Sequence, residues 1–239
     1  MDGRRIVWFS CGAASAVCAK LSEPDLVVYC DTGTEDADNH RFLIDCEGWL
    51  SQPITILKSK KYQSAWEVWE DRKFLSGIHG ASCTGPLKRE LREKFQRHDD
   101  THVFGYTADK RDKARADALR ESYPHLNINT PLIEQGIRKK ECLALLERAG
   151  IKPPRVYEMG FHNANCIPCA KATSPGYWAL IRQHFPEQFH RMTELSRRLN
   201  VRLTELKGER AFIDEIPLDH PRTRPIAPDC DLLCQLIQL

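Results

Sequence analysis

No stretch of this 239-residue chain approaches the roughly 20 consecutive apolar residues that a bilayer-spanning helix needs. Secretory leader features are missing as well, because Arg4-Arg5 precedes only a short apolar run before a small-residue loop. A cytoplasmic location with no membrane partner is the resulting expectation. Excess charge is also lacking: 35 Lys and Arg face 33 Asp and Glu, for a net charge of +2. That balance gives no global basic field demanding a nucleic-acid partner. There is no internal repeat and no low-complexity segment, so solenoids and extended linkers drop out.

Cysteine is abundant instead. The ten are Cys11, Cys18, Cys30, Cys46, Cys83, Cys142, Cys166, Cys169, Cys230 and Cys234. Without an export signal they argue against a disulfide framework. Cys18 and Cys142 fall in apolar helical patterns and read as small buried hydrophobes. Cys166-x-x-Cys169 and Cys230-x-x-x-Cys234 form two close pairs, with Cys83 a fifth candidate. Thiolates so paired can close a tetrahedral Zn²⁺ site or anchor an iron–sulfur cluster; free or redox thiols are the alternative.

The chain is organised around its first strand and the turn after it. Arg4 to Phe9 is β-branched and aromatic, and it runs through Ser10-Cys11-Gly12-Ala13-Ala14-Ser15 into a helix-competent segment ending near Leu21. Strand, small-residue loop and helix N-terminus together present backbone N–H groups to an anion. A second strand, Asp25 to Tyr29, ends in Cys30-Asp31-Thr32-Gly33, and a helix is predicted from Asp36 to Leu50. Pro53 to Leu57 is a third strand, followed by a helix over Tyr62 to Phe74 in which Trp66 and Trp69 pack. A charged helix opens at Pro86 and reaches Arg97; His102 to Tyr106 is the fourth strand, and Ala108 to Tyr123 the next helix. Leu126 to Ile133 returns to the sheet, and Arg138 to Ala149 is an amphipathic helix stopped by Gly150 and Pro153-Pro154.

Strands alternating with helices predict an α/β fold with a mostly parallel five-stranded sheet and helices on both faces. Residues 1–150 form the expected nucleotide-binding domain. Residues 151–239 form a cysteine-bearing extension of helices and loops packing upon it, with a helical stretch from Tyr177 to Leu199 broken at Pro186.

In such a sheet ligands bind beyond the carboxyl ends of the strands. Three loops lie there: Ser10–Ser15, Cys30–Glu35 and Gly105–Lys110. They supply small donors, the Asp31 carboxylate for a ribose hydroxyl or Mg²⁺, and cations at Lys110 and Arg111. The helix bearing Lys88, Arg89, Arg92, Lys94 and Arg97 mixes cations with Glu90 and Glu93, the pattern of a solvated face or of a nucleic-acid contact.

These segments resemble those of a known family. Ser10-Cys11-Gly12-Ala13-Ala14-Ser15 resembles the Ser-Gly-Gly-x-x-Ser pyrophosphate (PP) loop of the adenine nucleotide α-hydrolase superfamily. Cys30-Asp31-Thr32-Gly33-Thr34-Glu35 and Cys83-Thr84-Gly85-Pro86-Leu87-Lys88 resemble motifs of its phosphoadenosine phosphosulfate (PAPS) reductase branch. Gly160 to Cys169 and Gly176-Tyr177-Trp178 are similar to segments of PAPS reductase-like proteins of phages and mobile elements. The resemblance implies an adenine nucleotide, ATP or PAPS, with its phosphates on Ser10–Ser15 and with Asp31, Thr32, Gly33, Lys88, Arg89, Gly105, Lys110 and Arg111 around it. Asp31 and Lys88 are the implied catalytic groups, with Mg²⁺ on the phosphates.

Two departures stand out. Ala13 and Ala14 replace the Lys and Asp of the ATP pyrophosphatase branch, and Cys11 replaces the first loop glycine. The resemblance further implies a [4Fe–4S] cluster, with Zn²⁺ as the alternative, on Cys83, Cys166 and Cys169 and a fourth ligand from Cys230 or Cys234. ATP α–β cleavage, as pyrophosphatase or adenylating activity linked to sulfur transfer, is the leading expectation. Sulfonucleotide reduction with Cys230 as nucleophile is the second. A non-catalytic nucleotide-dependent module of a nucleoprotein complex, as in CRISPR-associated relatives, is the third. Whether the chain forms a homodimer is left open.

Overall fold

The structure is a computed structural model and describes residues 3–77 and 80–229; Cys230 and Cys234 lie outside the described residues. Arg5–Phe9 (β1) places Val7 and Phe9 in a large core on one face and Ile6 and Trp8 in a smaller one on the other. Burial on both faces is why this strand reads as an unbroken apolar run. It continues through Gly12 into Ala13–Ser22 (α1). Leu26–Asp31 (β2), Asp38–Leu50 (α2) and Ile54–Lys58 (β3) follow, then Ala65–Arg72 (α3) and the short antiparallel pair Ser76–Gly77 (β4) and Gly80–Ala81 (β5).

The expected helix from Pro86 to Arg97 is replaced by two pieces. Gly85–Arg89 is a π-turn in which the Glu90 N–H reaches back five residues to the Gly85 carbonyl, and Glu90–Phe95 (α4) then continues as ordinary α-helix. Pro86 has no N–H to give to an α-ladder, so the wider turn costs little at that point. Thr101–Val103 (β6) and Lys110–Ser122 (α5) come next. The expected strand from Leu126 to Ile133 is only Asn127–Asn129 (β7), because Pro131 opens the short helix Pro131–Glu134 (α6). Lys139–Arg148 (α7) completes the α/β layer.

All five long-range strands run parallel in the order β3-β2-β1-β6-β7. The chain winds outward from β1 in both directions, so the topological switch lies between β1 and β6. In the C-terminal region Pro175–His184 (α8) and Pro186–Arg198 (α9) precede the hairpin of Thr204–Leu206 (β8) and Glu209–Ala211 (β9). Val156, Tyr157, Phe161, Trp178, Ile181, Met192 and Ile213 share one hydrophobic cluster with Val7, Phe9 and α1. No helix among the described residues is long and apolar enough to cross a membrane.

Candidate functional site

Ser15 builds the loop after β1. Its hydroxyl, almost fully buried, accepts the backbone N–H groups of Ser10 at 3.1 Å and Gly12 at 3.2 Å, takes the Ser10 hydroxyl at 3.2 Å, and donates to the Gly12 carbonyl at 2.9 Å. The sequence suggests Ser15 as a ligand donor; the structure makes it the residue that shapes the loop. Ala14 and Ser15, second and third in α1, are left with N–H groups that have no intrahelical acceptor. The Ala13 N–H meets the Tyr157 hydroxyl at 3.2 Å, so a C-terminal side chain sits against this loop.

Cys11, standing where the resembled PP-loop motif has its first glycine, adopts a left-handed φ of 55°, and its fully buried thiol donates to the Asn39 carbonyl at 3.4 Å. The side chain therefore enters the core between loop and α2 and adds no bulk on the anion side. Burial, then the neighbouring Glu35 and Asp31 carboxylates, push its pKa up to about 12 against the opposing pull of Lys88. Gly105, in the loop after β6, is pressed onto α1: a Cβ there would lie 2.9 Å from both the Ala14 carbonyl oxygen and the Ser15 Cα. The two loops flanking the switch point are thus locked together by the absence of a side chain.

Beyond β2, Asp31 accepts the Gly33 N–H at 2.8 Å and pairs with Lys58 of β3 at 2.8 Å. Gly33 has a φ of +60°, and a Cβ on it would overlap the Gln63 carbonyl, so only glycine makes this turn. Thr32 and Glu35 then face the Cys-x-x-Cys loop. Thr32 Oγ1 and Cys166 Sγ are 3.1 Å apart, and the Cys166 thiol donates to Glu35 at 3.8 Å. Backbone pairing of the Ile167 N–H with the Thr34 carbonyl at 2.7 Å pins the two loops.

Lys88 projects from the π-turn into this setting. Burial works against its charge, but Cys166, Glu35, Cys30 and Cys169 outweigh that effect and raise its pKa. Among the described residues Lys88 pairs with no carboxylate, and the residue is exposed at the surface. The Cys30 thiol donates to the Lys88 carbonyl at 4.0 Å, tying β2 to the π-turn. Cys166 is pushed up to about 12, chiefly by burial and next by Glu35, while Lys88 and Thr32 act in the other direction.

The three described cysteines of the expected metal set come to one region. Cys83 and Cys166 each feel the charge of Cys169. Among the described residues, however, no three His, Cys, Asp or Glu side chains are spaced to hold a metal ion. Two features fit thiolate chemistry there. The fully buried Trp69 indole N–H has no hydrogen-bond partner among the described residues and stands near Cys83, where it opposes the rise in pKa that burial gives the thiol. Tyr177 braces the Cys166–Cys169 pair by accepting the Cys169 N–H at 2.7 Å and donating to the Cys166 carbonyl at 3.4 Å.

Of the remaining candidates, Lys110 lines an open hollow of about 430 Å³ with Ala108, Asp109, Lys113 and Arg138. Arg111 and Arg89 are exposed, and Arg89 turns back toward Gly85, so neither is brought to the Lys88 centre. Glu35, Tyr157, Trp69 and Tyr177 are the residues sequence reasoning missed as parts of the site. Only Glu35 and Tyr177 carried a signal, through the motifs that contain them.

No family model and no curated protein sequence matches the chain. The solved structures do offer a likeness. The crystal structure of phosphoadenylyl-sulfate (PAPS) reductase from Candida auris, in a phosphate complex, superposes with a TM-score of 0.50 at 12% identity, covering 66% of this chain and 78% of that one. The parallel five-stranded sheet with its helices is therefore a PAPS reductase-like fold.

Proposed function

We propose that this protein is an adenine-nucleotide-dependent enzyme that seats the nucleotide phosphates on the Ser10–Ser15 loop and acts on them beside Lys88. The observation that carries this reading is the loop itself. Ser15 holds it in one shape, Gly105 closes it against the neighbouring strand, and it stands at the topological switch where such sheets take their ligands. Backbone N–H groups of α1 would bind phosphate oxygens in place of the missing loop lysine. Lys88 supplies the mobile positive charge, near enough to influence Cys11 as well as Cys166.

The reaction read first is cleavage between the α- and β-phosphates of ATP, with adenylation of an acceptor and pyrophosphate as leaving group. Lys88 would stabilise the charge that gathers on the phosphate oxygens as the bridging bond breaks. Mg²⁺, when bound, would neutralise the phosphates further, with Asp31 the carboxylate at that edge. Cys83, Cys166 and Cys169, completed by Cys230 or Cys234, are the thiols that would hold a [4Fe–4S] cluster or Zn²⁺. Iron, sulfide and zinc content of anaerobically purified protein decides between these and free thiols.

Incubation with ATP and Mg²⁺ should release AMP and pyrophosphate. Lys88→Ala should lower the rate about 100-fold while leaving the fold intact, in keeping with loss of one charge-stabilising group. Nucleotide binding without turnover would replace this reading with the non-catalytic module, and failure to bind any adenine nucleotide would remove both.

A second reading rests on the position of Asp229. Its backbone N–H reaches the Lys140 carbonyl and its carboxylate pairs with the Lys140 ammonium at 2.7 Å, so the residue before Cys230 is anchored at the first turn of α7, beside Arg138. In sulfonucleotide reduction the Cys230 thiolate would attack the PAPS sulfur, breaking the S–O bond and expelling adenosine 3′,5′-bisphosphate. An external dithiol would then reduce the thiosulfonate and release sulfite. Sulfite formation abolished by Cys230→Ser would establish this route over the first.

A further inference from the structure

A cavity of about 490 Å³ opens at the end of edge strand β3, around Lys58. Five cations line it: Lys58 closing β3, Lys60 and Lys61 from the following loop, Arg72 closing α3, and Lys94 on α4. Glu90 is the one carboxylate in its wall. These cations come from three separate stretches of chain, 58–61, Arg72 and Lys94, so their convergence is a product of the tertiary fold and not of one helix alternating charges along its face. Lys58 is answered by Asp31 and Lys61 by Asp71, at 2.8 and 3.2 Å. Arg72 gives one N–H to the Ser82 carbonyl at 3.2 Å, which leaves its charge in place. Lys60 and Lys94 are exposed and have no ion-pair partner among the described residues.

Glu90, Asp31 and Asp71 together offset three of the five cations, and two positive charges remain facing a concave space large enough for a small ligand. A concave wall of one sign focuses the field within it and raises the local concentration of counter-charged ligand. We infer that this cavity is a binding site for a ligand carrying two or more phosphate or sulfate groups, either a free small polyanion or the backbone phosphates of a nucleic-acid strand. Lys60 and Lys94 are its main contacts. The site is separate from the Ser10–Ser15 loop, none of whose residues lines it.

Lysine acylation read by mass spectrometry tests the site residue by residue. Saturating inorganic pyrophosphate should slow acylation of Lys60 and Lys94 about fivefold or more and leave Lys152, paired with Glu158 elsewhere, unchanged. The protection should persist in Ser15→Ala, which separates this site from the nucleotide loop, so failure of either reading leaves the other standing. The double variant Lys60→Glu, Lys94→Glu alters exposed side chains; placed in the Ser15→Ala background it should melt like Ser15→Ala alone yet lose the upward melting shift that pyrophosphate still gives Ser15→Ala. A short single-stranded oligonucleotide that displaces pyrophosphate from these lysines would identify backbone phosphate as the ligand, and protection by pyrophosphate alone would identify a small polyanion. Equal acylation rates with and without both probes would overturn the inference.

Discussion

Ser15 illustrates how one hydroxyl sets a site. It joins Ser10 and Gly12 through four contacts, and its removal leaves the buried Gly12 N–H without an acceptor. Ser15→Ala should cost about 2 kcal/mol of stability and weaken adenine-nucleotide binding at least tenfold, as read by thermal melting and by calorimetric titration. Cys11 makes the complementary point. A side chain where the family has glycine suggests interference with phosphate, yet its left-handed backbone sends the thiol into the core. Sequence identifies the residue at that position, but only the backbone dihedral decides which way it faces. The same holds for Trp69, whose role beside Cys83 depends on a ring that sequence reads as packing alone.

Elements position these residues through close approaches and a change of helical pitch. Gly105 lets the loop after β6 rest directly on the first turn of α1. Gly105→Ala should push the loops apart, lowering the melting temperature by several degrees and abolishing nucleotide binding, since an added methyl has no room against backbone atoms. At the π-turn, the extra residue per turn around Pro86 faces Lys88 toward Cys166 and Glu35. Tyr177 works at the same scale, holding the Cys166–Cys169 loop from α8 through its hydroxyl. Tyr177→Phe should leave α8 folded and speed alkylation of Cys166 and Cys169 severalfold, which mass spectrometry of iodoacetamide-treated protein would show.

At the scale of the molecule, the C-terminal region is clamped to the surroundings of the Ser10–Ser15 loop. Arg155 makes a two-pronged bond to Asp36, both N···O distances 2.8 Å, and its backbone N–H bonds Asp38. The Asp36 side chain is only 3% exposed, so Arg155→Ala strands a buried carboxylate and should cost about 2 kcal/mol, reduced from the fully buried case because Arg155 itself is half exposed. Asp38, bonded first by Arg41 and then by the Arg155 N–H against the effect of burial, is held well below the usual carboxylate range, at about 2. Its contribution is complete above pH 4 and is lost as pH falls through 2, so Asp38→Asn should flatten the acid limb of a stability–pH curve. Thiols give the opposite limb. Burial pushes Cys11 and Cys18 up to about 12, so the unfolded chain loses these protons first and stability should fall as pH rises from 9 toward 12. Chemical denaturation across that range measures it.

Residue order by itself determined the parallel α/β sheet, the small-residue loop after β1 and the loop at Cys30–Glu35. Each depends on local apolar runs or on backbone freedom that neighbouring residues encode. Only the tertiary structure decided what those loops face. The Tyr157 hydroxyl meets Ala13 across 144 residues, and the Cys166 thiol meets Glu35 across 131. The five cations beside β3 gather from segments whose separate patterns look like ordinary solvated surface. Such contacts are invisible to periodicity because they arise where the folded-back C-terminal region and the π-turn close over the sheet's carboxyl edge. Their energies come from burial and charge, which exist only once the chain has packed.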